Sequence, residues 1–237
     1  MTPTSPVPPY PTPRGLLTGK TVVVTAAAGT GIGFAVAKRA AEEGAKLLIS
    51  DFHERRLGEA ADRIADEAGV ERPATFVCDV TDEQAVQGLR DASLAALGRV
   101  DVLINNAGLG GEVDVVDMTD DQWNRVLDVT LTSLFRMTRA FLPHMYANKA
   151  GVMAFTRCSA IEAAEHGVRI NAVAPSLAMH PFLAKVTTQE MLDKLVEKEA
   201  FKRPAEVWEV ANVMLFLASD LSSYMTGEIL PVSSQKA

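Results

Sequence analysis

A short run of β-branched residues near the start of the chain leads directly into a glycine-rich turn. The run occupies residues 20–25 (KTVVVT), and glycine recurs at every second position shortly after it. Glycine lets the backbone turn tightly and approach a pyrophosphate closely, while the N-terminus of the helix that follows attracts its negative charge. The sequence therefore predicts a phosphate-binding turn for a dinucleotide, formed by Thr25, Gly29, Gly31, Ile32 and Gly33.

An acidic residue stands where the second strand is expected to end. Asp51 follows the apolar run 46–50 (KLLIS). A carboxylate at this position accepts both ribose hydroxyl groups of NAD and repels the extra phosphate of NADP. Since the glycine turn contains no basic residue, we expect NAD as the cofactor. Arg55 and Arg56 lie nearby and leave NADP as the alternative.

Acidic, amide and small residues also follow the next two apolar runs. Asp79 and Val80 come after residues 74–78 (ATFVC), and the sequence NNAG comes after residues 100–104 (VDVLI). Ligands of open α/β sheets bind at the carboxyl ends of the strands, where all these residues are expected. We expect Asp79 to accept a hydrogen bond from the adenine amino group. The residues predicted to line this part of the site are Asp79, Val80, Asn106, Ala107 and Gly108.

The elements that must position these residues alternate along the chain. Apolar runs of strand length are separated by stretches with helical spacing at 31–44, 55–68 and 82–97. Strands that alternate with helices over short links predict an α/β fold with a doubly wound parallel sheet, of the Rossmann type. We expect a single domain over residues 15–237. Residues 1–14 contain six prolines, which favour extended backbone, and are expected to form a flexible tail.

Composition narrows the range of partners. The formal net charge of −7 opposes binding to nucleic acid and to anionic lipid. No apolar run approaches the roughly 18 residues that a membrane span needs, and the first residues lack the pattern of a signal peptide. The two cysteines and four histidines show no metal-ligand spacing. We expect a cytoplasmic protein that acts on a small-molecule substrate and has no metal, nucleic acid or membrane partner.

Together these motifs resemble the short-chain dehydrogenases/reductases. The resemblance rests on the glycine turn, on the Asp-Val and NNAG sequences, and on residues 167–175 (GVRINAVAP) and 224–227 (YMTG). It spans nearly the whole chain, from Gly15 to Val232. It implies a Rossmann-fold oxidoreductase that uses NAD or NADP to interconvert a secondary alcohol and a ketone. It also implies a homo-oligomer, either a dimer or a tetramer.

Smaller details resemble an actinobacterial branch of this family. They are the turn 25–33 (TAAAGTGIG), the sequence 129–131 (VTL) and the Ser-Ser-Gln sequence near the end of the chain. This resemblance associates the chain with lipid metabolism, and with hydroxylated ring intermediates that are processed as CoA thioesters in steroid breakdown. A 3-oxoacyl thioester and a simple sugar alcohol stay open as alternative substrates.

The resemblance also implies a catalytic tyrosine and lysine, a serine, and an asparagine that holds a water relay. Tyr146 and Lys149 are the candidates for the pair, although the lysine follows the tyrosine by three positions where the family has four. Tyr146 is alternatively no more than the end of a long helix. Thr130 stands at the family's asparagine position and is the candidate for the relay. Pro175 and Ala178 belong to the loop that contacts the nicotinamide in the family.

One part of the family pattern is expected to be absent. The helix that begins near residue 120 continues past Pro143 towards Lys149 and leads directly into a second helical stretch, 152–165. The sequence shows no fifth strand and no catalytic serine between these helices, a shortfall of roughly two dozen residues. An omitted segment, a deletion and a rebuilt region are the three explanations. The alternative function is therefore a non-catalytic dinucleotide-binding protein or an inactive deletion variant.

Overall fold

A five-stranded parallel sheet forms the centre of the molecule. The computed structural model describes residues 6–110, 113, 116–146, 151–153, 160 and 163–234. The strand order is β3-β2-β1-β4-β5. In chain order the strands are β1 (Thr21–Val24), β2 (Lys46–Asp51), β3 (Ala74–Val77), β4 (Val102–Ile104) and β5 (Gly151–Met153). The parallel pairing and the strand order confirm the predicted doubly wound α/β fold.

Helices connect the strands and cover both faces of the sheet. The crossovers between the first four strands are α1 (Ile32–Glu42), α2 (Glu54–Ala68) and α3 (Glu83–Leu97). A continuous helical stretch follows β4, made of α4 (Asp120–Leu127), a π-helical turn (Asp128–Thr132) and α5 (Ser133–Tyr146). The later helices are α6 (Pro181–Val186), α7 (Gln189–Lys198) and α8 (Val207–Ala218).

Alternate residues of β1 face opposite layers of the core. Val22 and Val24 are buried in a cluster that contains apolar residues of α1, α2 and α8. Val23 belongs to a second cluster, in which Leu89 of α3 and Phe141 of α5 are also buried. Because side chains alternate across a strand, the two clusters lie on the two sides of the sheet. This double layer holds the carboxyl ends of the strands in fixed positions.

Residues 151–153 form a fifth strand, so the predicted absence of this strand is wrong. Gly151 pairs with Val102 and Met153 pairs with Ile104, both in the parallel direction. The helix predicted over 152–165 is likewise corrected at its start, although Ala160 and residues 163–164 are helical. A helix that follows α5 must end at the same edge of the sheet as α5, so the chain has to cross back between them. The three residues of β5 make that crossing.

Beyond β5 the described strands form two small sheets of their own. β6 (Ala172–Pro175) pairs with β9 (Ile229–Val232), and β7 (Ala178–Met179) pairs with β8 (Ala205–Glu206). No pairing between β5 and β6 is present among the described residues. The parallel sheet is therefore continuous through its first four strands and ends at the short β5.

Residues 10–16 pack against the domain, and we refer to them as the N-terminal strap. The Tyr10 hydroxyl donates to a carboxylate oxygen of Glu42 at 2.8 Å, and the Tyr10 ring lies edge-on to Trp208 with 5.6 Å between centroids. Two backbone N–H groups of the strap donate to the buried carboxylate of Glu43. The strap thus joins α1 to α8. The flexible tail expected for residues 1–14 stays a prediction.

Candidate functional site

The glycine turn forms a cradle at the N-terminus of α1. A Cβ atom on Gly33 would lie 2.3 Å from the carbonyl oxygen of Ala26 and 2.5 Å from the side-chain nitrogen of Asn106. Gly29 has a φ of 108°, which side chains rarely tolerate. Around Gly31, which precedes the first residue of α1, nothing lies within 4 Å of the Cβ position. The open space at this helix N-terminus fits a pyrophosphate.

Thr25 ties the glycine turn to the loop after β4. Its hydroxyl donates to the carbonyl oxygen of Ile104 at 3.3 Å and accepts the N–H groups of Asn106 at 3.0 Å and Ala107 at 3.2 Å. The Asn106 amide in turn donates to the carbonyl oxygen of Ala26. Thr25 and Asn106 are therefore positioning residues, because they lock together the two backbone loops that form the floor of the site.

Asp51 ends β2 beside the glycine turn. One carboxylate oxygen accepts the N–H of Ala28 at 3.1 Å, and the other accepts the N–H of His53 at 3.0 Å. Burial raises the pKa of Asp51 above its ordinary value, against the hydrogen bond from Ala28 and the charge of Arg56. Each carboxylate oxygen can accept more than one hydrogen bond, so both retain capacity for the ribose hydroxyl groups of a ligand.

A cavity of about 310 Å³ opens at the carboxyl ends of these strands. Five of the residues predicted from the sequence line it together: Asp51, Asp79, Val80, Ala107 and Gly108. The remaining lining residues come from the same strand ends and from the stretch formed by α4 and the π-helical turn. The structure therefore brings the predicted adenosine-binding residues into one place, next to the cradle.

Cys78 and Asp79 form the part of the cavity that follows β3. Asp79 accepts hydrogen bonds from the backbone N–H and the hydroxyl of Thr81 at 2.9 and 2.7 Å, which fixes its side chain at the cavity wall. Burial, with the negative charges of Asp79 and Asp82 beside it, raises the pKa of the Cys78 thiol to about 12. The thiol is therefore protonated at neutral pH and serves as an apolar surface of the cavity.

Thr130 lies in the π-helical turn between α4 and α5. Its hydroxyl accepts the N–H of Leu109 at 3.1 Å and donates to the carbonyl oxygen of the same residue at 3.3 Å. Leu109 lines the cavity, so Thr130 connects the long helical stretch to the loop after β4. Single π-helical turns of this kind are frequent at functional sites. The role of Thr130 in a water relay stays a prediction.

The backbone of the candidate tyrosine lies at the opposite end of the sheet from this cavity. Tyr146 is the last residue of α5, and the short link 147–150 separates it from Gly151, which pairs with the first residue of β4. Its backbone therefore lies on the amino side of the sheet, whereas the cavity lies at the carboxyl ends. Lys149 lies outside the described residues. The structure leaves the catalytic pair a prediction and places one of its members away from the cofactor half of the site.

The two residues predicted to contact the nicotinamide lie beyond β5. Pro175 is the last residue of β6, and Ala178 is the buried first residue of β7. Neither lines the cavity described above. The carboxyl end of β6 is nevertheless where the other half of a dinucleotide would extend from the cradle, because ligands of such sheets lie across the strand ends. Their contact with the nicotinamide stays a prediction.

Sequence reasoning missed Phe52 and Arg125, which both line the cavity. Phe52 directly follows Asp51 and is 64% exposed, so its ring is accessible to a ligand in the cavity. Arg125 precedes Val129 by one helical turn, and this spacing is the one signal in the sequence that could have indicated a shared face.

The described part of the chain lacks two further kinds of feature. None of its helices combines the length and the apolar composition that crossing a membrane requires. Within the same residues, His, Cys, Asp and Glu side chains do not gather in groups of three that could hold a metal ion.

Comparison with known protein families gives two matches that overlap at residues 143–151. A family model described as short chain dehydrogenase matches residues 20–151. A second model, described as Enoyl-(Acyl carrier protein) reductase, matches residues 143–234. The two matches together extend from just before β1 to the end of the described chain.

Comparison with individual proteins agrees with the family models. A Mycobacterium tuberculosis protein named (5R,7aS)-5-hydroxy-7a-methyl-1-oxo-2,3,5,6,7,7a-hexahydro-1H-indene-carboxyl-CoA reductase is 56% identical over 249 residues, with 94% of this chain and 95% of that protein covered. A short chain dehydrogenase from Mycobacterium smegmatis has 48% identity and a TM-score of 0.84, with coverage of 98% and 99%. A 7α-hydroxysteroid dehydrogenase complexed with NADH and 7-oxo glycochenodeoxycholic acid has 28% identity and a TM-score of 0.82, with coverage of 93% and 95%.

Proposed function

The chain belongs to the short-chain dehydrogenase/reductase family of oxidoreductases, and we propose that it uses NAD to interconvert a secondary alcohol and a ketone on a CoA thioester of a steroid-derived ring. The observation that carries the proposal is the cavity beside the glycine cradle, where Asp51 and Asp79 stand at adjacent strand ends. When bound, the nicotinamide ring supplies or accepts the hydride.

The site fits a dinucleotide in three parts. The open N-terminus of α1 at Gly31 would hold the pyrophosphate, and Asp51 would accept the ribose hydroxyl groups. Asp79 and Val80 would contact the adenine, and Ala107 and Gly108 would lie beneath it. Each of these groups is held in place by backbone bonds or packing before any ligand arrives, which reduces the cost of binding.

The charges around the cavity support NAD rather than NADP. Three carboxylates line it, those of Asp51, Asp79 and Asp128, and they oppose an additional phosphate on the ribose. Arg55, one of the two basic residues that left NADP open, forms an exposed ion pair with Glu59 at 2.6 Å. This pair engages the guanidinium of Arg55 along α2, whereas the charge of Arg56 acts on Asp51 and keeps NADP as the alternative.

The proposed substrate class follows from the Mycobacterium tuberculosis relative. Its printed name describes a reductase of a fused-ring carboxyl-CoA compound, and the identity of 56% extends over nearly all of both chains. A 3-oxoacyl thioester and a sugar alcohol are the other substrate classes to be tested beside it. The homo-oligomer, the cytoplasmic location and the single-domain boundary stay predictions.

One observation favours a second function, a dinucleotide-binding protein without catalysis. Covering 94% of 237 residues corresponds to about 223, so about two dozen of the 249 aligned positions have no residue in this chain. The backbone of Tyr146 also lies on the amino side of the sheet. Without an acid or base beside the reacting oxygen, no side chain accepts or donates the alcohol proton. Proton transfer of this kind contributes roughly 10²–10⁴-fold to the rate.

Two measurements on the purified chain separate these functions. NADH and NADPH binding is measured by fluorescence titration, with Asp51→Asn as the variant that keeps the shape and removes the charge. Turnover is then measured with a fused-ring ketone as its CoA thioester, a 3-oxoacyl-CoA and a sugar alcohol. We expect NADH to bind at least tenfold more tightly than NADPH, and Asp51→Asn to reduce that preference.

Each result decides one point. Turnover of the fused-ring thioester supports the proposed oxidoreductase function. NADH binding without turnover of any of the three substrates establishes the non-catalytic alternative. Failure to bind either dinucleotide overturns both. The intact mass, expected at 25.4 kDa for these 237 residues, shows at the same time whether the tested protein contains an additional segment.

A further inference from the structure

The wall of the cavity that comes from α4 carries an arginine. Arg125 lies in the last turn of α4, four residues before Val129 of the π-helical turn, and both line the cavity. Among the described residues that line it, Arg125 is the single cation, facing a cavity that contains three carboxylates. Its side chain is exposed and forms no ion pair or hydrogen bond within the described part of the chain.

None of the three carboxylates among the described residues that line the cavity forms an ion pair with Arg125. Asp51 is held by backbone N–H groups, and Asp79 is held by Thr81. Asp128 forms an ion pair with Arg136 at 2.8 Å, on the α5 side of the π-helical turn. Each carboxylate therefore has its own partner in the fold. Within the described part of the chain, these pairings leave the guanidinium of Arg125 to a ligand in the cavity.

In the proposed cofactor, the group assigned to this part of the cavity is uncharged and planar. The cradle at the N-terminus of α1 is the phosphate position, and Gly29, Gly31 and Gly33 do not line the cavity. The residues that do line it include apolar Val80 and the exposed ring of Phe52. Their combination with three carboxylates fits adenine and its ribose, and does not fit a second phosphate.

We propose that Arg125 binds the adenine ring of the dinucleotide, with its guanidinium plane against a face of the base. The proposal rests on the proposed function of the cavity. Arginine is planar and weakly hydrated, and it stacks readily on aromatic faces, whereas a lysine ammonium in the same place acts as a point charge. Such an interaction changes a dissociation constant by about two- to thirtyfold, depending on how far the cation is removed from water. Arg125 thereby adds a contact from α4 to a base that is otherwise held by the strand ends.

The test compares fragments of the cofactor on matched variants of the full chain. Arg125→Ala removes the guanidinium, and Arg125→Lys keeps the charge without the plane. Arg72→Ala is the control, because Arg72 is an exposed arginine that pairs with Asp62 at the other edge of the sheet. Dissociation constants are measured for NADH, for ADP as the adenine-containing half and for reduced nicotinamide mononucleotide as the other half.

We expect Arg125→Ala to weaken NADH and ADP by the same factor, about tenfold, and to leave the nicotinamide mononucleotide unchanged. Arg125→Lys should recover only part of the loss, and Arg72→Ala should match the wild type. Unchanged ADP binding in Arg125→Ala overturns the inference, as does equal weakening of both halves, which indicates a structural effect. If the wild type binds neither NADH nor ADP, the proposed function itself fails and this inference falls with it.

Discussion

The chain before Gly108 and the chain after Tyr146 build their parts of the site in different ways. In the first region, β1, β2 and β3 each lead through a short turn into a helix, and the turns are hydrogen-bonded to neighbouring loops. Thr25 holds the loop after β4, and Asp51 holds the glycine turn through Ala28. In the second region, β5 has three residues and pairs with β4, while the strands that follow pair only with one another among the described residues.

The difference shows that the two regions supply different parts of the site, although α8 of the second region packs against β1 and α1 of the first. Among the described residues, none beyond Val129 lines the cavity, although Thr130 holds the cavity-lining Leu109 through two hydrogen bonds. The second region has to supply the substrate-binding residues and the acid or base of the reaction. The first strand of this region is β5, which has three residues and takes the chain back across the sheet. Such a chain can retain cofactor binding even if its second region no longer provides a catalytic acid or base.

The strongest test of the first region is Gly33→Ala. The new methyl group would meet the Ala26 carbonyl at 2.3 Å, so the turn or the helix has to shift. We expect a loss of about 2–3 kcal/mol in the free energy of unfolding, as for other overpacked positions, together with loss of NADH binding. Urea denaturation and NADH titration measure the two effects.

Gly31→Ala is the matched control for this variant. No atom lies within 4 Å of its Cβ position, so stability should be unchanged to within about 0.5 kcal/mol. The added methyl group does enter the space assigned to the pyrophosphate, and NADH binding should weaken. If the two variants lose equal stability, the packing at Gly33 is not what shapes the cradle.

The second test concerns the N-terminal strap, which supports the first region from outside the sheet. The Glu43 carboxylate is buried, accepts two N–H groups of the strap and pairs with Arg39 at 2.7 Å. Glu43→Gln should cost about 2 kcal/mol, because it leaves Arg39 with Glu42 as its one remaining carboxylate partner. Glu59→Gln, at an exposed pair with Arg55, should cost less than about 0.5 kcal/mol. Equal effects in the two variants would mean that the strap adds no stability.

The ionisation of Glu43 predicts how the stability of the protein depends on pH. Burial alone raises the pKa of Glu43, but the N–H groups of Leu16 and Arg14 and the charge of Arg39 lower it below the ordinary value. A lowered pKa in the folded state stabilises the protein above the unfolded pKa, near 4.5, and the stabilisation is lost as pH falls through the folded pKa. The stability difference between wild type and Glu43→Gln should therefore be constant from pH 7 to pH 5 and shrink below pH 4.5. A difference that grows on acidification would contradict this assignment.

The sequence predicted the first region well because its chemistry is encoded locally. The glycine turn, Asp51 and Asp79 each follow directly after an apolar run, and the carboxyl ends of parallel strands meet at one edge of a sheet. The contribution of Arg125 to the cavity could not be predicted from such local signals, because a helical residue reaches the cavity only when α4 packs on the strand ends. The docking of Tyr10 on Trp208 was equally hidden, because proline content predicts extended backbone and carries no information about a contact nearly two hundred residues away.

The fifth strand was missed for a different reason. Gly151-Val-Met153 is three residues long and stands between alanine-rich stretches, so helical periodicity is the stronger local signal. What makes it a strand is the need to cross the sheet between α5 and the next helical residues. That requirement is a property of the topology, and no window of a few residues contains it.

The third test lies at the junction of the two regions. Thr130→Val removes the hydroxyl that accepts from and donates to Leu109, and leaves a side chain of the same shape. Losing these bonds should cost about 1 kcal/mol of stability and weaken NADH binding two- to threefold, because Leu109 lines the cavity. Thr130→Ser keeps the hydroxyl and should behave as wild type in both measurements. Unchanged NADH binding in Thr130→Val would separate the π-helical turn from the cofactor site.

The smallest effect is expected for Tyr146→Phe, and it is the one that distinguishes the regions most directly. A phenol that acts as the acid or base of the reaction contributes roughly 10²–10⁴-fold to turnover. The backbone of Tyr146 is at the end of α5, one short link before β5 begins on the amino side of the sheet. We therefore expect NADH affinity, thermal stability and any turnover of the wild type to change less than twofold. Gly33→Ala provides the positive control for each assay. A loss of turnover beyond a hundredfold, with NADH affinity intact, would place the tyrosine hydroxyl in the reaction and require the link after α5 to carry it across the sheet.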